Sequence, residues 1–224
     1  MSTPELYLQT AFVLNNDGFI TSTREPNPSR GPAFVLVRSK KRCSWAVRVD
    51  IPKLISNELR DLAGDEPPVL DVRDPPTNAD RYMSLVGGRI DSGPAYMFPH
   101  TITQSADIVL VDNLQLLACN FRGWNASEIP GRSPILAILE DGHAVSICFC
   151  ARSSNFAVEA GLDTAAAFRG RGFGPRVTAG WALAIRASGR IPLYSTSWAN
   201  NASLAVARKL GLMAYASTWS LSDF

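Results

Sequence analysis

The chain reads as an α/β protein in two parts, and three patterns in the sequence predict this. From about Ser133 onward, apolar runs of strand length alternate with helix-length stretches. In the first half, short apolar runs come in pairs around tight-turn residues. A proline-rich polar stretch, Asp65 to Asn78, interrupts the first half. Composition agrees without choosing: 46% apolar and 19% charged residues over 224 positions is ordinary for one large or two small globular domains.

In the N-terminal half, Ala11 to Leu14 and Phe19 to Ser22 flank Asn15-Asn16-Asp17-Gly18, while Ala33 to Arg38 and Cys43 to Val49 flank Ser39-Lys40-Lys41-Arg42. Both read as hairpins, and together as a small antiparallel sheet. Asp50 is the expected cap of a helix through Pro52, Leu54, Ile55, Leu59 and Leu62 that stops at Gly64. Asp65 to Asn78 reads as loop or linker. Residues 1–104 are thus expected to form an N-terminal α+β lobe. That lobe is either structural, a dimer lobe, or one that selects a substrate through Arg73, Asp74, Arg81 and Tyr82.

In the C-terminal half, Asp107 to Val111 reads as a strand, and Asn113 to Phe121 and Asn125 to Ile129 as short helices. Ser133 to Leu139 and Ala144 to Ala151 make a hairpin across Glu140-Asp141-Gly142, and Phe156 to Thr164 is the next strand. From Gly172 to about Ser188 the residues Phe173, Val177, Trp181 and Ile185 recur every four positions, the core-facing stripe of a helix. Pro175 falls in its first turn, where a missing N–H costs little, and Gly189 ends it. Ile191 to Trp198 is a strand, Asn200 or Asn201 caps a short helix carrying Leu204, Ala207 and Leu210 on one face, Gly211 stops it, and Met213 to Leu221 is the last strand. That last strand needs a partner, from the N-terminal half or from a second copy of the chain.

The segment Arg169-Gly170-Arg171-Gly172-Phe173-Gly174 sits between a strand and a helix. Its glycines permit a tight turn and a close ligand, and the first N–H groups of the following helix point outward with about half a positive charge. Such a corner suits a phosphate. A triphosphatase loop would need Gly-Lys-Ser/Thr where Gly174-Pro175-Arg176 stands, and a dinucleotide site would need a carboxylate where Pro192 to Ser195 has none. Arg169, Gly172 and Gly174 do fit Arg/Gln-x-x-Gly-x-Gly/Ala, and in this the chain resembles the GCN5-related N-acetyltransferase (GNAT) family.

The resemblance implies a GNAT-like mixed, mostly antiparallel central sheet flanked by helices over residues 105–224, and a transfer of the acetyl group of acetyl-CoA to an amine by direct attack on the thioester. It implies a cosubstrate site from Leu162, Asp163 and Thr164, whose N–H groups would polarise the carbonyl and hold the pantetheine arm. Arg169, Gly170, Arg171, Gly172, Phe173 and Gly174 would take the pyrophosphate, and Asn200 and Ser203 would lie along the cosubstrate; a plain helix cap also explains Asn200. Glu159 and Asp163 share one face of their strand. Glu159 is the expected base, acting through water, with an ordinary strand residue as the alternative. The family's helix carries a tyrosine near the sulfur where this chain has Ala207, so Tyr194, Tyr215 or water is left to protonate the thiolate.

A net charge of +2 gives no general pull toward nucleic acid or membrane, no apolar stretch has bilayer length, and the first residues lack a secretory pattern. A cytoplasmic enzyme is expected, with a small-molecule or peptide amine as acceptor and no metal. Cys148 and Cys150 face the same way, but only His100 and His143 exist to complete a zinc set, at no zinc spacing. Two readings from other classes compete: a non-catalytic CoA-binding regulatory module, and an RNA-binding arginine-glycine element, which would be repeated and disordered rather than single and folded.

Overall fold

The computed structural model describes residues 3–69, 71–103 and 107–223. In chain order the elements are α1 (Thr3–Ala11), β1 (Phe12–Leu14), β2 (Ile20–Thr23), β3 (Phe34–Arg38), β4 (Cys43–Val47), α2 (Lys53–Gly64), α3 (Ala79–Val86), β5 (Arg89–Met97) and β6 (Ile108–Leu110). There follow the 3-10 turns Leu114–Leu116 and Ala126–Glu128, α4 (Ile129–Arg132), β7 (Leu136–Glu140), β8 (His143–Ser153), β9 (Ala157–Thr164), a third 3-10 turn Ala166–Phe168, α5 (Phe173–Ala187), β10 (Ile191–Ser195), α6 (Asn201–Lys209) and β11 (Met213–Ser222). They form two compact units, one of Met1–Met97, Ser195–Asn201 and Met213–Phe224, the other of Phe98–Tyr194 and Ala202–Leu212. The boundary expected between 104 and 105 falls outside the described residues.

In the first unit, antiparallel strands run in the order β4-β3-β11-β5. The last strand therefore finds its partners inside the chain, Ser217 to Leu221 against β3 and Met213 to Ser222 against β5. Both faces of β3 are covered: Val35 and Val37 meet Tyr7, Leu8 and Ala11 of α1, while Phe34 and Leu36 meet Leu59 and Ala63 of α2 and Tyr82 of α3. A strand buried on both faces reads as an unbroken apolar run, as Phe34 to Val37 does. The first hairpin turns as expected at Gly18 (φ 82°), with Asn15 Oδ1 accepting from the N–H groups of Asp17 and Phe19. It stands apart as a two-stranded sheet, so the two N-terminal hairpins do not make one small sheet.

One further expectation for this unit needs correction. Asp50 does not cap α2; Pro52 holds that position without a side-chain bond, and the Asp50 carboxylate accepts instead from Arg48 Nε at 2.6 Å. That bond holds the Asp50 carboxyl below the usual range. Arg81 pairs with Glu58 and Tyr82 is fully buried, donating to Glu66 Oε1 at 3.1 Å, so in this unit both are tied to structural partners. Arg73 lies over the Trp198 ring at 4.6 Å, and the Asp74 carbonyl accepts from Arg38.

The second unit holds the strands β10-β9-β8-β7-β6, antiparallel except for the parallel pair β9–β10. The β7–β8 turn places Asp141 (φ 51°) and Gly142 (φ 76°) in the left-handed region, the type I′ geometry that matches strand twist. The α5 stripe is buried as its spacing predicts: Val177, Trp181 and Ile185 are inaccessible and Phe173 nearly so. Cys148 and Cys150 are buried thiols, Cys150 donating to the Ser133 carbonyl at 3.1 Å, and burial pushes both above the ordinary thiol range. Among the described residues, no helix is long and apolar enough to cross a membrane.

Candidate functional site

The glycine loop forms a sharp corner. Gly170 (φ 79°) and Gly172 (φ 83°) occupy the left-handed region, and a Cβ built on either would meet no heavy atom within 4 Å. Gly172 is the N-cap of α5 and offers no side-chain acceptor, so the first N–H groups of α5 have no side-chain cap. Gly174 is different: a Cβ built there would stand 3.5 Å from Leu162 Cδ2 and 3.6 Å from Val206 Cγ2, so the start of α5 lies close to β9 and α6. Arg169 donates from Nε to the Thr164 carbonyl at 3.0 Å, tying the loop to the end of β9. Arg171 lies over Phe168 and Phe173 at 5.2 and 4.8 Å and pairs with Glu140 at 3.3 Å. Phe173 is thus a platform for Arg171 as well as a core residue.

The backbone of β9 is polarised by its register. Ala165 N–H donates to the Val145 carbonyl, which makes Ser146–Thr164 a non-hydrogen-bonded pair, and by alternation Cys148–Leu162 another. The N–H groups of Leu162 and Thr164 therefore turn away from β8, while that of Asp163 turns toward it. On the other side, β10 pairs with β9 only over Ile191–Ala157, Pro192–Val158 and Leu193–Glu159. β10 runs only two residues past its last pair, to Ser195, so among the described residues Ala160 to Thr164 have no β10 partner. At about 3.3 Å per residue this open edge spans about 13 Å.

Glu159 is 4% exposed and faces Arg152 across the ladder, with Nη1 3.4 Å from Oε2. A bulge in β8 between Cys150 and Arg152 brings this arginine opposite Glu159. The sequence alone does not reveal that pairing, since it requires the register and the bulge together. Asp163, two alternations along on the same face, is exposed. Between them the Phe149 ring covers Gly161, where a Cβ would come within 2.3 Å of Cε2. Phe149 in turn packs edge-on against Trp124 at 4.9 Å, with the Arg132 guanidinium over both rings. No spacing signal marks these aromatic residues, which lie on separate elements.

On the opposite face, Ser203 of α6 shares a 2.6 Å hydrogen bond with the Tyr194 hydroxyl. Ala207, one turn further on, is 1% exposed beside Leu204. Asn200 lies in the first unit, just before α6, with its N–H on the Ser197 carbonyl. Tyr215, on β11, packs in that unit against the cluster of Tyr7, Phe12 and Ile20.

Residues 135–218 match the family model of the GNAT acetyltransferases. No functionally curated protein matches the chain. Among solved structures, an acetyltransferase of the GNAT family from Novosphingobium aromaticivorans shares the fold at a TM-score of 0.50 and 16% identity, over 61% of this chain and 66% of that one. One from Colwellia psychrerythraea matches at 0.50 and 13% identity, over 93% and 80%. A GCN5-related N-acetyltransferase from Kribbella flavida matches at 0.50 and 17% identity, over 66% and 64%. The chain thus spans just under two thirds of the first and third of these proteins. At such identities the likeness is one of fold, and it accords with the mixed sheet and the glycine corner before α5. Residues 135–218 are thus similar in sequence to the GNAT acetyltransferases, and the chain shares their fold.

Proposed function

We propose that this protein is an N-acetyltransferase that uses acetyl-CoA as cosubstrate and acetylates a small-molecule or peptide amine. The observation that carries the reading is the open edge of β9, which leads from the last β10 pair at Glu159 to the uncapped start of α5. Acetyl-CoA supplies an activated acetyl thioester. The chain's own residues fit its parts in sequence. The α5 N–H groups, with Arg169 beside Gly170 and Gly172, hold the pyrophosphate in space that a Cβ would begin to fill. The N–H of Thr164 holds the pantetheine arm as a neighbouring strand would be held, and that of Leu162 polarises the acetyl carbonyl. Asp163, its N–H engaged toward β8, contributes shape at the same stretch. Ser203 flanks the arm.

Glu159, at the end of the paired segment, draws the proton from the attacking amine through an intervening water. Arg152 orients the carboxylate. The Trp124 and Phe149 rings lie on the same side of the sheet as Glu159, which makes that side the approach for the acceptor. A cytoplasmic location suits the four free cysteines.

The buried Ala207, where the family's tyrosine would stand, favours a second reading: a regulatory module that binds CoA without turning it over. Incubation with acetyl-CoA and a panel of amines, with free thiol and acetylated product both measured, separates the two. Turnover with any amine supports the transferase; tight acetyl-CoA binding with no thiol released from any of them supports the module.

A further inference from the structure

In the first unit β4 is an edge strand, since the order there is β4-β3-β11-β5. Its pairing fixes which backbone groups it leaves outside. Ser39 N–H donates to the Arg42 carbonyl and Arg48 N–H to the Ala33 carbonyl, so hydrogen-bonded pairs close β3 and β4 at both ends. By alternation Val37–Ser44 and Val35–Ala46 are hydrogen-bonded as well, whereas Arg38–Cys43, Leu36–Trp45 and Phe34–Val47 are not. The N–H and C=O groups of Cys43 and Trp45 therefore point away from β3, and both residues are partly exposed. Further along, β2 takes this edge: Ile20 bridges Arg48, and its carbonyl accepts from Val49 N–H at 3.0 Å.

Beside the open part lies a cleft of about 220 Å3, lined by the Asp17-Gly18-Phe19 turn that leads into β2, by Trp45 and Val47, and by Arg60 of α2. Val47, 2% exposed, belongs to its closed end. The Trp45 side chain shares the α2 face of the sheet with Phe34 and Leu36, and Arg60 lies over the Phe19 ring at 5.4 Å. Among the described residues, neither Asp17 nor Arg60 stands in an ion pair. The two ends of the open edge differ in charge: exposed Asp17 lies at the Val47 end, and exposed Lys40, Lys41 and Arg42 directly precede Cys43.

We propose that this edge docks an extended peptide of a protein partner, laid antiparallel to β4, with a cation at its amino-terminal end and carboxylates at its carboxyl-terminal end. Adding a strand to an exposed edge draws affinity from main-chain hydrogen bonds and specificity from alternate side chains. Antiparallel pairing is the more stable direction and gives two hydrogen-bonded pairs here, opposite Trp45 and Cys43. The side chain opposite Trp45 projects to the α2 face, where the Trp45 and Phe19 rings call for an apolar residue. An antiparallel strand enters beside Asp17, where β2 prevents further pairing, and leaves beside Lys40, Lys41 and Arg42. The charge of each end then meets its opposite. This docking is independent of the acetyltransferase reading.

The test uses the full chain and the peptide Lys-Thr-Val-Thr-Glu-Glu, labelled at its carboxyl terminus and followed by fluorescence anisotropy. It should bind saturably. N-methylation of its valine removes the donor to the Trp45 carbonyl and should weaken binding about tenfold or more. The charge-swapped peptide Glu-Thr-Val-Thr-Lys-Lys should bind about tenfold more weakly at low salt, with the gap closing as salt rises. Asp17→Lys, at an exposed turn position, should narrow that gap without changing the loss on N-methylation. Absence of binding by the parent peptide, or equal affinity for it and either altered peptide, overturns the proposal. A wild-type chain that sediments as a dimer and binds no peptide assigns the edge to a second copy, and likewise overturns it.

Discussion

Replacing Gly172 by valine separates the ligand-binding role of the loop from its role in folding. At φ 83° a β-branched residue is strained, at a cost of about 1 to 3 kcal/mol, but its Cβ meets no heavy atom within 4 Å, so no steric clash adds to that cost. The side chain instead enters the space assigned to the pyrophosphate. At a hundredfold excess over its dissociation constant a ligand stabilises the native state by about 2.7 kcal/mol. For a chain of this size, at about 2 to 4 °C per kcal/mol, that is a rise in melting temperature of about 5 to 11 °C. Thermal scans with and without acetyl-CoA should show this rise in the wild type and none in Gly172→Val. The control is Gly189→Val at the other end of α5, also at positive φ (78°) and also with open space around its Cβ. It should lose comparable stability yet keep the full ligand-induced rise. If Gly172→Val keeps the rise, or if both variants lose it alike, the assignment of the pyrophosphate to this corner is refuted.

Glu159→Gln preserves size but cannot accept a proton; turnover with a working amine should fall by about two to four orders of magnitude with acetyl-CoA affinity unchanged, and recover partly at high pH as the amine deprotonates by itself. Wild-type turnover and pH profile in that variant would make Glu159 an ordinary strand residue paired with Arg152. Ala207→Tyr places a ring at a position 1% exposed and packed beside Leu204, so it should lower stability by about 1 to 3 kcal/mol rather than raise the rate. A faster enzyme with an unchanged melting temperature would show that the helix position has room and that its hydroxyl was the missing part.

The elements most legible in the sequence are those whose pattern is set by one neighbour. The α5 stripe follows from packing on a single sheet face, and the Asp141-Gly142 turn from local twist, so both are visible without tertiary knowledge. Elements set by the rest of the fold are not. β5 contains Gly93-Pro94, a dipeptide that reads as a turn, yet Gly93 is there because any Cβ would fall 1.7 Å from the Thr196 carbonyl oxygen, and the Pro94 carbonyl accepts from Thr196 N–H. α3 follows the proline-rich stretch, spans 8 residues and buries only Tyr82 completely, too little periodicity to stand out. α1 lies directly before β1 with no intervening turn signal. At the site, the glycine corner and the Glu159 strand can be read from spacing. The partners Arg152 for Glu159 and Ser203 for Tyr194 cannot, because they depend on a bulge and on the register of a parallel pair.

The most direct test of the central claim, that the unpaired edge of β9 receives acetyl-CoA, is residue-resolved amide hydrogen exchange by NMR. The Leu162 and Thr164 amides, turned away from β8, should exchange rapidly in the free protein and slow markedly when acetyl-CoA is added. The Asp163 amide, on the β8 side of the same strand, should be protected in both states. Unchanged exchange at Leu162 and Thr164 under saturating acetyl-CoA, or protection confined to other strands, would contradict the account.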